Sequence, residues 1–224
     1  VSTMKQPKDL VSIGTATTDY GRNGDLVVRG GWVYSLMPAD SSYWYGSNLD
    51  NTMVQAALVR TKLSTFASST PKTIFPMDHS ATASSTATSG AVSSTYEPQT
   101  MDITPDGNTA FIVDKIKDQN YKIRIIKVDL SAATGDSATN LAGEVVAIRD
   151  NVYGTVTSIT ALSDSAFIFN YSGALSKVTL SGSTWTFGSV FANTSAFDVK
   201  VNPDGNLIVA TSTSENIVLI VYNQ

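Results

Sequence analysis

Apolar and polar residues alternate over short runs along most of the chain, as in "TAFIVD" (109–114) and "LIVATS" (207–212). Each run stops at a cluster of Gly, Pro, Asp, Asn or Ser. Alternation with period two predicts half-buried strands, whereas an amphipathic helix needs apolar residues three and four apart. No stretch carries the helical spacing, so an all-β fold is predicted.

One phrase is written twice. "ITPDGNTAFIVD" occupies 103–114, and "VNPDGNLIVAT" follows at 201–211, about 98 positions on. Pro105–Asn108 and Pro203–Asn206 are turn chemistry: Pro presets φ, Asp bonds back to its own backbone, and Gly accepts positive φ. Strand, tight turn and strand predict a hairpin in each place. A third copy, "SITALSDSAFIFN" (158–170), sets Ala166-Phe167-Ile168 in line with Ala110-Phe111-Ile112 and turns on Ser163-Asp164-Ser165. A fourth, "DLVVRGGWVYSLM" (25–37), turns on Gly30-Gly31.

Each hairpin is followed by further strand-like runs: "AALVRTKLSTFA" and "KTIFPM", "KIRIIKVDL" and "AGEVVAIRD", "GALSKVTL" and "WTFGSVFA". Four short strands in roughly 45–55 residues is the period of a β-propeller blade. The predicted blades are 21–77, 98–150, 155–195 and 197–224. The last has only three strands, and "DLVSIGTAT" (9–17) is the expected donor of its fourth, closing the ring so that no strand edge is left unpaired. The apolar run Ile217–Tyr222 predicts a strand covered on both faces and flanked by neighbours. Two stretches interrupt the repeat: an insertion at 38–52 within the first blade, and a Ser/Thr/Ala-rich loop at 79–97, expected to be a flexible surface loop or a glycosylated or assembly-related segment.

The phrase D-I/V-x-x-x-P-D-G-N, followed by an apolar strand, resembles the repeats of lactonase-like, YVTN and NHL (SMP-30-type) propellers. The resemblance covers Asp102–Leu130 and Asp198–Asn223 well and the other two units less closely. It implies the propeller architecture and a possible divalent metal, such as calcium, in the central channel. Asp102 and Asp198 are the residues that would recur ahead of the turns to hold it; each could instead accept bonds from a neighbouring blade's backbone. The family's glutamate ligand matches no residue of this chain.

Composition narrows the chemistry. Hydrophobic residues make up 42% and charged residues 15% of 224, with Ser and Thr filling the difference. The net charge is −4 and the basic residues are scattered, which argues against nucleic acid as a partner. The longest apolar run, Ile217–Val221, is too short to span a bilayer. With no cysteine, disulfides and thiolate chemistry are excluded. A first residue other than Met suggests a removed leader or a piece of a longer protein, and the hydroxyl-rich composition points to an extracellular, cell-surface or virion-surface setting.

The only histidine, His79, heads the low-complexity loop, a poor setting for a base that must be held rigidly. No catalytic set is expected. The insertion brings Tyr43, Trp44 and Tyr45 together with Asn48 and Asp50, the equipment of a protein contact or a glycan site, or of rings that fold back to cap the blade. Asn170 and Asn193 head sequons for N-glycosylation. The function expected is a non-catalytic propeller that binds a protein partner or its own copies. The alternatives are a metal-dependent lactonase-like hydrolase and a glycan-binding module centred on 43–45.

Overall fold

The computed structural model describes residues 25–37, 57–66, 69, 72–77, 96–116, 123–137, 139, 141–149, 156–171, 174–193, 196–201, 207–212 and 218–221. Among them fifteen strands form four antiparallel sheets, and the one other regular element is a 3₁₀ turn at Leu63–Thr65. The first sheet comprises β1 (Asp25–Arg29), β2 (Trp32–Met37), β3 (Ala57–Lys62) and β4 (Lys72–Pro76). The second comprises β5 (Tyr96–Ile103), β6 (Thr109–Ile116), β7 (Ile123–Asp129) and β8 (Gly143–Arg149). The third comprises β9 (Val156–Ser163), β10 (Ala166–Tyr171), β11 (Ala174–Ser181) and β12 (Thr184–Asn193). The fourth has β13 (Ala196–Val201), β14 (Leu207–Ser212) and β15 (Val218–Val221).

Strands lie side by side in chain order within every sheet. Across sheets, β1 packs on β5, β5 on β9, and β9 on β13. Four-stranded meanders joined through their first strands are propeller blades, with β1, β5, β9 and β13 innermost. The fourth blade shows three strands among the described residues, and β15 pairs there with β14 alone. The segment 9–17, expected beside it, lies outside the described residues.

The turns form for the reasons their residues dictate. Gly30 and Gly31 take φ of 57° and 81°, the paired positive values that a two-residue hairpin of the primed type demands. In the second blade Gly107 takes φ 79° and its N–H donates to Thr104 O at 2.8 Å. Asp106 closes the same turn, accepting from the Thr104 hydroxyl and from Asn108 N (3.1 Å). Those donors hold its carboxyl below the ordinary range. The third blade turns on Asp164 and Ser165, with Ser163 Oγ accepting from Ser165 N.

A second repeated bond sits beside each turn. Leu63, Leu130 and Leu180, each at the end of a third strand, donate their N–H groups to Gly31 O, Asn108 O and Ser165 O at 2.7–2.8 Å. Three blades with different turn sequences thus clamp those turns in the same way.

The core lies between sheets. Tyr34, Leu36, Leu58, Ile74 and Phe75 of the first blade meet Met101, Ile103, Ile112, Ile126 and Val128 of the second. Phe111, Val113, Ile123 and Ile125 of the second meet Ile159, Phe167, Phe169 and Val178 of the third. Phe111 and Phe167, aligned by the repeat, meet with their rings tilted by 44° and centroids 4.9 Å apart, and Trp185 packs against both.

The start of the second blade differs slightly from expectation: β5 begins at Tyr96, so the end of the 79–97 loop is already strand, because Tyr96 and Glu97 pair with Ile116 and Lys115. Close approach of the first two blades depends on Gly143 in β8. A Cβ there would lie 2.7 Å from Phe75 Cζ and 2.8 Å from Ile126 Cγ2. Gly143→Ala is expected to lower unfolding free energy by about 1–3 kcal/mol, the usual cost of overpacking. Urea denaturation checks this, and an unchanged midpoint would contradict it.

Candidate functional site

The innermost strands meet around one carboxylate. Asp102 of β5 is 6% exposed, and its Oδ2 accepts the N–H of Ala161 in β9 at 2.9 Å. Among the described strands β9 pairs with β10 alone, so that N–H belongs to an edge that the ladder leaves open. The neighbouring joints are built alike. Asp25 Oδ2 of β1 accepts from Thr100 Oγ1 (2.7 Å) and Met101 N (3.2 Å) of β5. The Thr160 hydroxyl of β9 donates to Val199 O of β13.

All four blades act on Asp102. Burial pushes its carboxyl above the ordinary range, and it outweighs the opposing pull of the Ala161 and Ile103 N–H groups and of the Lys200 and Arg29 charges. Arg29 belongs to β1 and Lys200 to β13. The carboxylate is therefore a structural acceptor with cations on two sides, committed to backbone donors.

Farther out, the first two blades are latched by Arg60 of β3. Its guanidinium lies 4.2 Å from the Trp32 ring centroid and donates to Ala133 O (2.9 Å) and Gly135 O (2.7 Å) of the second blade. Lys62 Nζ pairs with Asp136 Oδ2 at 2.7 Å beside it. Residues Ala133, Gly135 and Asp136 thus make a blade-to-blade contact. Arg124 and Asp114 form an ion pair at 2.9 Å, with side chains 1% and 0% exposed. It joins β6 to β7 directly across the ladder.

The expectation that Asp102 and Asp198 occupy equivalent places needs correction. Ile103 faces Ala110 in the second blade and Val201 faces Ile208 in the fourth, so the counterpart of Asp102 is Lys200. Asp198 stands opposite Thr211, level with Thr100, because the stretch between aspartate and turn is two residues longer in the fourth blade. Among the described residues no three of His, Cys, Asp and Glu gather where a metal ion could be held.

Asn170 is completely buried within β10, between β9 and β11, and a glycan there is incompatible with the folded sheet. Asn193 is the last residue of β12. Tyr43, Trp44, Tyr45, Asn48, Asp50 and His79 lie outside the described residues. No helix among the described residues is long and apolar enough to cross a membrane.

No protein-family model matches the chain, and no curated protein matches it. Solved structures do. An oligogalacturonate lyase in complex with manganese superposes with a TM-score of 0.51 at 11% identity, over 91% of this chain and 49% of that one. The β-propeller domain of Myceliophteria thermophila Cps50 (Swd1) gives 0.46 at 10%, over 93% and 54%. Chaetomium thermophilum Sqt1 gives 0.42 at 14%, over 84% and 40%. The chain thus spans about half the length of these structures or less. Such likeness concerns the fold alone. The chain has a β-propeller architecture, and membership of the lactonase or NHL group is not supported.

The buried Asp102 generates a pH prediction. Its folded-state value is raised, so folding favours the neutral form. The stability this contributes is fully present below the unfolded value of about 3.9 and is lost as pH rises through the folded value. Asp102→Asn keeps an oxygen for Ala161 N and does not titrate. Lowering the pH from about 7 to about 4 should therefore move the stability difference in favour of the wild type. Paired urea titrations check this; a flat difference, or one moving the other way, would contradict it.

Proposed function

We propose that the chain is a non-catalytic binding propeller, working outside the cell or at a cell or virion surface, that engages a protein partner or its own copies. The observation that carries this reading is where the described charged groups go. Asp25, Asp102, Arg60, Lys62 and Asp136 are committed to joints between blades, and Asp114 and Arg124 to each other. Such a molecule invests its ionisable chemistry in holding a rigid scaffold, as a binding platform does.

In this reading the segment 9–17 completes the fourth blade beside β15, and the aromatic insertion Tyr43–Tyr45 supplies contact area. Sedimentation velocity of the purified chain, with cross-linking on intact cells or virions, tests it. The expected result is a species heavier than the 23.8 kDa chain, alone or with a cross-linked partner, that diminishes in Trp44→Ala. A strict monomer that cross-links to nothing and turns over lactones with a divalent metal would contradict it.

A further inference from the structure

The connection between β7 and β8 begins and ends on its own blade. Leu130 N is tied to Asn108 O at 2.7 Å, and Gly143 pairs with Val128 in the ladder. Between those ends the chain crosses to the first blade. Arg60 Nη2 of β3 donates to Ala133 O and Gly135 O, and Lys62 pairs with Asp136. Farther along, Thr139 N donates to Thr73 O and Leu141 N to Ile74 O of β4, both at 2.9 Å, and Leu141 is buried in the core between the sheets.

These anchors are few and separable from the ladders. Ser131, Ala132, Thr134, Gly135, Asp136 and Ser137 are exposed and belong to no helix or strand. Opening exchanges each anchoring bond for one to water, so each contributes only a modest net amount, and a segment with few buried contacts opens before the sheets beneath it. The strongest anchor is Arg60. It is 3% exposed and is fixed on the first blade by the Trp32 ring and by a hydrogen bond to the Tyr34 side chain. One nitrogen of this fixed group secures two carbonyls of the crossing chain. Its Nε is buried with no hydrogen-bond partner, so the closed arrangement leaves the guanidinium short of a bond that entering water supplies.

We propose that residues 131–137, 139 and 141 form a strap that lifts from the first blade as one unit while the sheets stay folded, with Arg60 as its catch. Lifting frees Thr73 O and Ile74 O on the outer strand of the first sheet and uncovers the part of the core that Leu141 fills. The ends of the strap stay in place, because the Leu130 bond and the pairing of Gly143 lie within the second blade. The rim between the first two blades can therefore loosen without either ladder breaking. The strap lifts in this way whatever the propeller binds.

Amide exchange of the full chain, read residue by residue in low urea, tests this. Thr139 and Leu141 should share one opening equilibrium that urea hardly alters. They should exchange faster than Ile112 and Val113 of β6, which has a ladder on each side and opens only with the whole fold. Arg60→Lys keeps the charge but loses the planar fork, and should speed Thr139 and Leu141 alike by about tenfold. Phe167→Leu weakens the other joint, so it should speed Ile112 and Val113 and leave Thr139 and Leu141 as they are. Were Arg60→Lys not to fold, the wild-type and Phe167→Leu comparisons still decide whether the strap opens. Thr139 and Leu141 exchanging at the rate and urea dependence of β6 would overturn the strap, as would their opening separately. Rates unmoved by Arg60→Lys would overturn Arg60 as its catch.

Discussion

The first strand of a propeller blade has a neighbour on one side only, and the N–H and C=O groups on its inner edge must find partners or remain unbonded near the centre of the molecule. In this chain, side chains of adjacent blades meet that need. Asp25 serves β5, Asp102 serves β9, and Thr160 binds a carbonyl of β13. A buried backbone donor left without a partner costs about 1–3 kcal/mol. These contacts therefore fix the position of one blade against the next, and the apolar side chains between sheets pack within the spacing they set.

The two described cores show how different surfaces serve the same geometry. Between the first and second blades, Gly143 lets Phe75 in close, and the Arg60 guanidinium, sandwiched between Trp32 and two carbonyls, latches the rim. Between the second and third, three aromatic rings from Phe111, Phe167 and Trp185 fill the space. One joint is sealed by polar bonds at its edge and the other by ring packing. Thr139 and Leu141 of the second blade add two backbone bonds to the outer strand of the first sheet.

Much of this fold is legible in the sequence because strand alternation and turn chemistry are local. The hairpins at 103–114 and 158–170 and the order of strands follow from period-two runs punctuated by Gly, Pro, Asp and Ser. The joints between blades are not local. Nothing in "DLVVR" announces that Asp25 reaches Thr100 and Met101, since the bond spans about 75 positions and depends on how two sheets pack. Register also misled: matching the pairs Asp102-Ile103 and Asp198-Val199 sets the two aspartates level, whereas counting back from the Pro-Asp-Gly-Asn turns, like the ladders, pairs Asp102 with Lys200. A signal that could have helped was the leucine closing the third strand of the first three blades, in "RTKL", "KVDL" and "KVTL", which marks the repeat even where the turn sequence has changed. The small and polar residues that follow "KVDL" give no hint that the carbonyls of Ala133 and Gly135 receive Arg60.

An acidic side chain on one inner strand bonds the open backbone edge of the next, Asp25 on β5 and Asp102 on β9. Amide hydrogen exchange at Ala161, compared between the wild type and Asp102→Ala, tests it most directly. The account predicts that the Ala161 amide exchanges markedly faster in the variant, while the amides of Ile168 and Phe169 in β10 keep their protection. Equal exchange at Ala161 in both proteins would contradict it, because the carboxylate would then not be what holds that edge.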